Sequence, residues 1–416
     1  MSSPYQLVVP TSVEPLLNGK YGGSYKTGWI ENSRPVFKLS NVNKEIRPKT
    51  TRINGILQTV ILVQDPNVEP QPANWRATTS ADKVYLDPNA GVNGFFYIIN
   101  TKFKKSSVES ITDYAKFVAM KNEAKYFQID HATSTDSMLE LMTFSNDAKA
   151  DDQIKYNANT GLLFPMDADT SEKPFSVDLD FCLNGSDEAI PYSRTGDIEL
   201  ELILSPVENS GLIYKGPGDT SKIQLGYVLK NLEVRFLADD EQKHDGAILL
   251  ETKSNSHIPT IQNRTASVEH TPSHAYDSIV CSLRKAGNSD NFTNSYLQSV
   301  ELTELVDFIE VKVNGRDGDI EFPLKYLTVE MLYNYLLAWN PYIHEYSDTS
   351  VRKHGLSYSK LSNDTPNTLE KSGWGIGCTL HGGVDAGTRI TFNMTLKQVP
   401  ASPYQCFMYT LGRLVI

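Results

Sequence analysis

The alternation of polar and apolar positions carries an internal echo. Gly196-Asp197-Ile198-Glu199-Leu200-Glu201-Leu202-Ile203-Leu204 alternates after a glycine, and Gly387-Thr388-Arg389-Ile390-Thr391-Phe392-Asn393-Met394-Thr395-Leu396 does so again about 190 residues further on. Each run leads into a second apolar run, Tyr227 to Leu237 in the first case and Gln405 to Ile416 in the second. Period-two patterning of this kind buries one face of a strand, so the echo predicts two β-units that end in the same pair of strands.

Further runs of strand length lie at Ile53 to Val63, Gly94 to Phe103, Tyr126 to Ile129, Met138 to Phe144, Leu162 to Met166 and Phe175 to Leu183. Within the last, Phe175, Val177, Leu179, Phe181 and Leu183 share one face. The second half continues with Ile248 to Glu251, Ser278 to Leu283 and Val300 to Val313; Asn314-Gly315 then signals a tight turn before Asp319-Ile320-Glu321-Phe322 resumes the alternation. Two helices interrupt the pattern. Ser106-Ser107-Val108-Glu109 reads as a capping box, with Val108, Ile111, Ala115 and Val118 on one helical face. The other helix begins near Thr328, turns Val329, Leu332 and Leu336 inward, and is stopped by Pro341.

Many short strands separated by long loops such as Gln64 to Lys83 and Ser145 to Asp152 point to an all-β chain with a few helices. At 416 residues, two domains of about 200 residues each are expected. The strand count fits two tandem eight-stranded jelly-roll β-sandwiches. Residues 1–46, rich in Pro, Gly, Ser and Asn, read as an N-terminal arm, 47–238 as the first jelly roll, 239–256 as a linker around the charged stretch Asp239-Asp240-Glu241-Gln242-Lys243-His244-Asp245, and 257–416 as the second jelly roll.

Composition narrows the function classes. The chain is 40% hydrophobic with a mean hydropathy of -0.34, and its longest apolar runs fall far short of the roughly 20 residues that span a bilayer. Met1 to Gln6 shows no leader pattern, so synthesis in the cytosol is expected. Cys182, Cys281, Cys378 and Cys406 are scattered without a CxxC, which argues against a disulfide framework; the sequons at Asn184, Asn263, Asn291, Asn363 and Asn393 then read as chance. A formal charge of -11 weighs against direct nucleic-acid binding, and the densest basic cluster, Lys102, Lys104 and Lys105, reads as a solvated strand end.

The candidate chemistry is weak throughout. His270 and His274 have i, i+4 spacing, but Pro272 between them excludes a helical metal face, and Cys378 with His381 lacks a second ligand pair. Gly216-Pro217-Gly218-Asp219-Thr220-Ser221-Lys222 has phosphate-loop composition without its order, so it reads as a turn. Gly373, Gly375 and Gly377 run into a strand, where alternate glycines mark a bend or a close backbone approach. Asp167, Asp169 and Glu172, and separately Asp317 and Asp319, match no complete calcium loop. There is no GxSxG or HExxH. No catalytic, cofactor-binding or metal-binding residue is therefore assigned, and no enzyme activity is expected.

The run Gly94 to Ile99 leading to Val108 through Tyr114, the strands Asp197 to Leu204 and Tyr227 to Leu237, the run Phe308 to Gly315 and the terminal Phe407 to Ile416 together give the chain a likeness. It resembles a double jelly-roll major capsid protein of the tectivirus and adenovirus lineage, which includes polinton-like viruses and virophages. The resemblance implies a homotrimer with a pseudo-hexagonal outline that tiles an icosahedral shell around double-stranded DNA, with strands upright in the wall, loops outermost and the N-terminal arm beneath. It implies as partners neighbouring capsomers, penton and minor capsid proteins, and a place in the virion after synthesis in the host cytoplasm. Trp75, Tyr342, Tyr346 and Tyr358 become candidate interface anchors, set against ordinary loop packing. The alternatives are a two-domain β-sandwich that binds or cleaves carbohydrate, and a capsid-related vertex component.

Overall fold

The computed structural model describes residues 5–10, 33–40, 43–63, 76–79, 82, 84–86, 90–128, 172–214, 216–255, 260–286, 305–315, 318–325, 328–342 and 375–416. Eight principal strands make up a first unit: β1 (Tyr5–Val8), β2 (Val36–Leu39), β3 (Arg52–Val63), β4 (Phe96–Phe103), β5 (Ser106–Thr112), β6 (Glu172–Asp178), β7 (Ile198–Leu204) and β8 (Ile223–Asp240). Eight more make up a second: β9 (Leu249–Asn255), β10 (Thr265–His270), β11 (Tyr276–Lys285), β12 (Val306–Gly315), β13 (Gly318–Lys325), β14 (Ile376–Val384), β15 (Ile390–Leu396) and β16 (Tyr404–Val415). Among the described residues the α-helices are α1 (Tyr114–Gln128), α2 (Tyr192–Thr195) and α3 (Thr328–Trp339).

Pairing gives both units one topology. In the first, β1-β8-β3-β6 form one sheet and β2-β7-β4-β5 the other; in the second, β9-β16-β11-β14 and β10-β15-β12-β13 do the same. Numbered within its own unit, each sandwich has sheets in the order 1-8-3-6 and 2-7-4-5. Both α1 and α3 follow the fifth strand of their unit and precede the sixth. This is the double jelly roll that the patterning predicts, and the echo is its seventh strand. Ile198, Leu200, Leu202 and Leu204 of β7 are buried, as are Ile390, Phe392, Met394 and Leu396 of β15, with half-buried residues between them in both strands.

The two units share a sheet. β5 runs parallel to β9, with Ser110 opposite Ser254, which joins the two four-strand sets into one sheet, to which the two-residue strand Thr260–Ile261, paired with β16, adds a ninth strand. A single buried apolar cluster extends from Phe37 and Leu39 in the first unit to Tyr409 and Leu411 in the second. Burial of this kind, at about 25 cal/mol per Å² of apolar surface, is the main favourable term holding the sandwiches together.

Several expectations need correction. Tyr5–Val8 and Val36–Leu39, expected within an arm, are strands of the first sandwich: Tyr5 lies opposite Leu237, and Val36 opposite Glu201. Four-residue strands are too short to establish a period, and the intervening Pro- and Gly-rich sequence hides them. The expected linker is also shorter than its charge pattern suggests, because Asp239 and Asp240 close β8 and Leu249 to Asn255 form β9. What connects them is clasped. Glu45 accepts from the Gln242 N–H at 3.1 Å and contacts His244 Nε2 at 2.7 Å, and Arg194 donates to the His244 carbonyl at 2.7 Å.

The first helix begins later than its capping-box pattern predicts. Ser106 to Thr112 is strand, with Val108 and Ile111 buried from it, and the chain turns at Asp113, whose φ of 53° ends the extended run. The Asp113 carbonyl then accepts from Lys116 and Phe117 to start α1. Tyr126 to Gln128, expected as a strand, ends this helix. α3 starts at Thr328 and gives way to a 3-10 turn at Asn340–Tyr342 that includes Pro341, as expected. The runs Met138 to Phe144 and Leu162 to Met166 lie outside the described residues.

Candidate functional site

What the fold positions with most care is the seam between the sandwiches, built from β5 and α1 on one side and β9, α3 and β16 on the other. Along β5, Val108, Glu109 and Ile111 are all buried; Glu109 lies opposite Thr101 of β4 on the same face as Ile111, and Val108 is the unpaired residue of a register shift between Glu109 and Ser107. The Glu109 carboxylate reaches backbone of both units. Glu109 Oε2 accepts the Cys182 N–H at 2.7 Å, and Oε1 accepts the Lys253 N–H at 2.9 Å. One buried carboxylate thus pins a loop of the first unit to a strand of the second.

Asp180, just past β6, extends the network. Lys121 Nζ of α1 lies 2.5 Å from Asp180 Oδ2, and Lys253 Nζ of β9 lies 2.9 Å from Asp180 Oδ1. Carboxylates here face ammonium groups of opposite charge, which is what makes taking them out of water tolerable. Burial opposes ionisation of Asp180, but the two ammonium groups outweigh it and hold the carboxyl well below the usual range. Burial pushes Glu109 up to about 7, against the pull of Lys253 and its two N–H donors. Burial pulls the Lys121 ammonium down, whereas for Lys253 the carboxylates of Asp180, Glu109 and Glu251 overcome burial and push it up.

Beside the charges sits an aromatic cluster. Phe117 of α1 is fully buried, with its ring 5.5 Å from Trp339 of α3 and 5.2 Å from Tyr409 of β16. Tyr409 donates to the Asp113 carbonyl at 3.0 Å, and Tyr335 donates to the Met120 carbonyl at 3.2 Å. α3 can approach its own sheet because β14 carries glycines there. A Cβ at Gly377 would lie 2.7 Å from the Tyr335 Cα, and one at Gly375 would lie 2.4 Å from the Tyr335 ring. These glycines are the close approach that their spacing suggests; Gly373 lies outside the described residues.

The remaining candidates disperse. His270 ends β10 with Nε2 3.2 Å from Ser254 Oγ, and burial depresses it to about 4; His274 contacts the Val108 carbonyl across the seam. Both histidines are half-buried. Cys378 is buried in β14, the strand that also contains His381. Gly216 to Lys222 forms bends and a short 3-10 turn before β8. Glu172 and Asp319 lie on β6 and β13, while Asp167, Asp169 and Asp317 lie outside the described residues. Among the described residues, no group of three His, Cys, Asp or Glu side chains could hold a metal ion.

Lys104 and Lys105 are exposed at the two-residue β4–β5 hairpin, both at positive φ, and Lys102 pairs with Glu199 at 2.7 Å. Tyr342 is fully buried, its hydroxyl donating to the Asp277 carboxylate, so it packs inside the chain and does not anchor an interface. Trp75, Tyr346 and Tyr358 lie outside the described residues. No described helix is long and apolar enough to cross a membrane.

The sequence did not single out Glu109, Lys121, Asp180 or Lys253. The available signal is a charged residue on a short strand, and exposed edges produce the same pattern. Only the docking of the second sandwich makes those positions interior.

Paired sandwiches of this order, locked side by side through a buried seam, define the double jelly-roll fold of viral major capsid proteins. No protein-family model and no curated protein matches the sequence. Among solved structures, the chain is similar to the Faustovirus major capsid protein at a TM-score of 0.56 and 11% identity, covering 99% of this chain and 90% of that one. It is also similar to the mavirus major capsid protein at a TM-score of 0.48 and 11% identity, again covering 99% and 90%.

Proposed function

We propose that the chain is a major capsid protein, a structural shell subunit whose work is assembly. The observation that supports this reading is the tandem repeat of one strand order, with both copies fixed in a single block by the seam. Two like modules per chain let a closed three-fold ring present six, and cyclic symmetry is the usual route by which identical chains close an assembly. In this reading the subunit is a homotrimer of pseudo-hexagonal outline that tiles an icosahedral shell around double-stranded DNA, beside penton and minor capsid proteins, and it resides in the virion. The acidic balance of -11 suits a wall that encloses DNA without gripping it. The modules are taken as Tyr5 to Asp240 and Leu249 to Val415.

Light scattering coupled to gel filtration, followed by negative-stain imaging, tests the reading. A particle of three chains with a hexagonal outline is expected. A stable monomer that binds glycans overturns it in favour of the carbohydrate alternative.

A further inference from the structure

Cys281 and Cys406 lie on the adjacent antiparallel strands β11 and β16. Cys281 sits opposite Met408 and Leu283 opposite Cys406, so the two cysteines point to the same face, one diagonal step apart. Both are fully buried, and their sulfurs are 3.1 Å apart as free thiols. Non-bonded carbons settle about 3.5–4.0 Å apart, and sulfur is larger than carbon, so this is closer than packing alone requires. A disulfide forms at about 2.05 Å with Cβ atoms about 3.5–4.5 Å apart, so closing it asks the sulfurs to approach by about 1 Å and the diagonal positions on β11 and β16 to draw together.

A second observation concerns charge. Lys116, fully buried on α1, reaches across the seam and places Nζ 5.8 Å from the centre of the Phe407 ring, next to Cys406 in sequence. Its ammonium favours the Cys281 thiolate, although contact with Cys406 and burial push that thiol up more strongly once the strands have closed. Exchange therefore belongs to the time when β16 is still joining its sheet.

We propose that Cys281 and Cys406 are a modification site that closes to a cross-strand disulfide through exchange with a low-molecular-weight disulfide. One thiolate attacks that reagent and releases its first thiol, leaving a mixed disulfide. The second cysteine then displaces the other thiol. Two cysteine thiols lose two electrons and two protons, and the reagent, reduced by the same two electrons, carries the protons away as two thiols. The bond ties the third strand of the second unit to its eighth, residues 125 apart in sequence. A cross-link over so long a loop constrains the unfolded chain strongly, and burial shields it from later reduction.

The test uses the full chain refolded in an oxidised and reduced glutathione mixture, quenched in acid, denatured and alkylated with N-ethylmaleimide. Intact mass should show two of the four cysteines protected, with all four alkylated after dithiothreitol treatment. Peptide mapping should join Cys281 to Cys406, and the oxidised chain should unfold at a higher urea concentration than the reduced one. Alkylation of all four after oxidative refolding, or a link through Cys182 or Cys378, overturns the proposal. Because the labelling is read in denaturant on the unmutated chain, no variant has to fold, and the result does not depend on whether the protein builds a shell.

Discussion

Asn255 takes both backbone polar groups of Thr112: its Oδ1 accepts the Thr112 N–H at 3.0 Å, and its Nδ2 donates to the Thr112 carbonyl at 2.9 Å. The parallel pairing of β5 with β9 is carried by Ser110 and Ser254. Beyond it, the Asn255 side chain continues the seam in place of a backbone partner. Asn255→Ala strips two groups of their partners at a partly buried position and should cost about 1–3 kcal/mol in urea unfolding. Asn255→Asp keeps the acceptor but loses the donor, and should fall between the two. Hydrogen exchange at the Thr112 amide should accelerate in Asn255→Ala; an unchanged rate would show that the seam holds without this contact.

Glu109 sets a pH dependence. Burial pushes its carboxyl up to about 7 in the folded chain, from 4.5 for a free glutamate side chain. A folded-state value above the unfolded one means that the native state binds the proton more tightly, so this group's contribution is fully present below about 4.5 and is lost as pH rises through about 7. The size is roughly 3 kcal/mol, at 1.36 kcal/mol per pK unit. Asp180, depressed by its two ammonium partners, acts in the opposite sense, contributing above the unfolded carboxylate value and losing that contribution as pH falls through its folded value. Urea unfolding between pH 5 and 8 should show stability falling toward the alkaline side, and Glu109→Gln should flatten that slope. An identical slope in the variant would assign the dependence to other groups.

How much of this was legible in the sequence follows from which interactions are local. The seventh strand of each unit is legible because one face is core and the other is not, so alternation is enforced at Ile198 through Leu204 and at Ile390 through Leu396. Strands β1 and β2 are held by long-range pairing with β8 and β7, which four residues of sequence cannot signal. The seam was illegible for a related reason. Glu109 and Lys253 are polar residues on strands, and what makes them interior is a sandwich that arrives from elsewhere in the chain. At Tyr342 the sequence leaves interface anchor and ordinary packing both open, because an aromatic residue after a helix looks the same whether it points outward or folds back onto Asp277; the contact with Asp277 decides for packing.

The two echo glycines are not equivalent. Both have positive φ, 61° at Gly196 and 78° at Gly387, but Gly196 combines this with ψ of -154°, a region open essentially to glycine alone. A Cβ there would also lie 2.5 Å from Lys104 Cγ, whereas one at Gly387 meets nothing within 4 Å. Gly387→Ala should therefore cost about 1–2 kcal/mol from backbone conformation. Gly196→Ala should cost more, about 2–4 kcal/mol with the side-chain clash added. Adding Lys104→Ala to Gly196→Ala should recover part of the loss. Equal costs at the two glycines would remove the asymmetry.

Phe117 tests whether the two sandwiches are one cooperative body. Its ring fills the space between Trp339 and Tyr409, both fully buried and both in the second unit, while its own helix packs on the first. Truncating a buried phenylalanine typically costs about 3–5 kcal/mol, because the cavity it leaves relaxes only partly. Here the loss falls on the interface and not on either sandwich interior, so Phe117→Ala should uncouple the units as well as weaken them. Calorimetry of the unmutated chain should show a single transition, and Phe117→Ala should split it in two, with Phe117→Leu intermediate. If the unmutated chain already melts in two steps that Phe117→Ala leaves unchanged, the aromatic cluster does not couple the units.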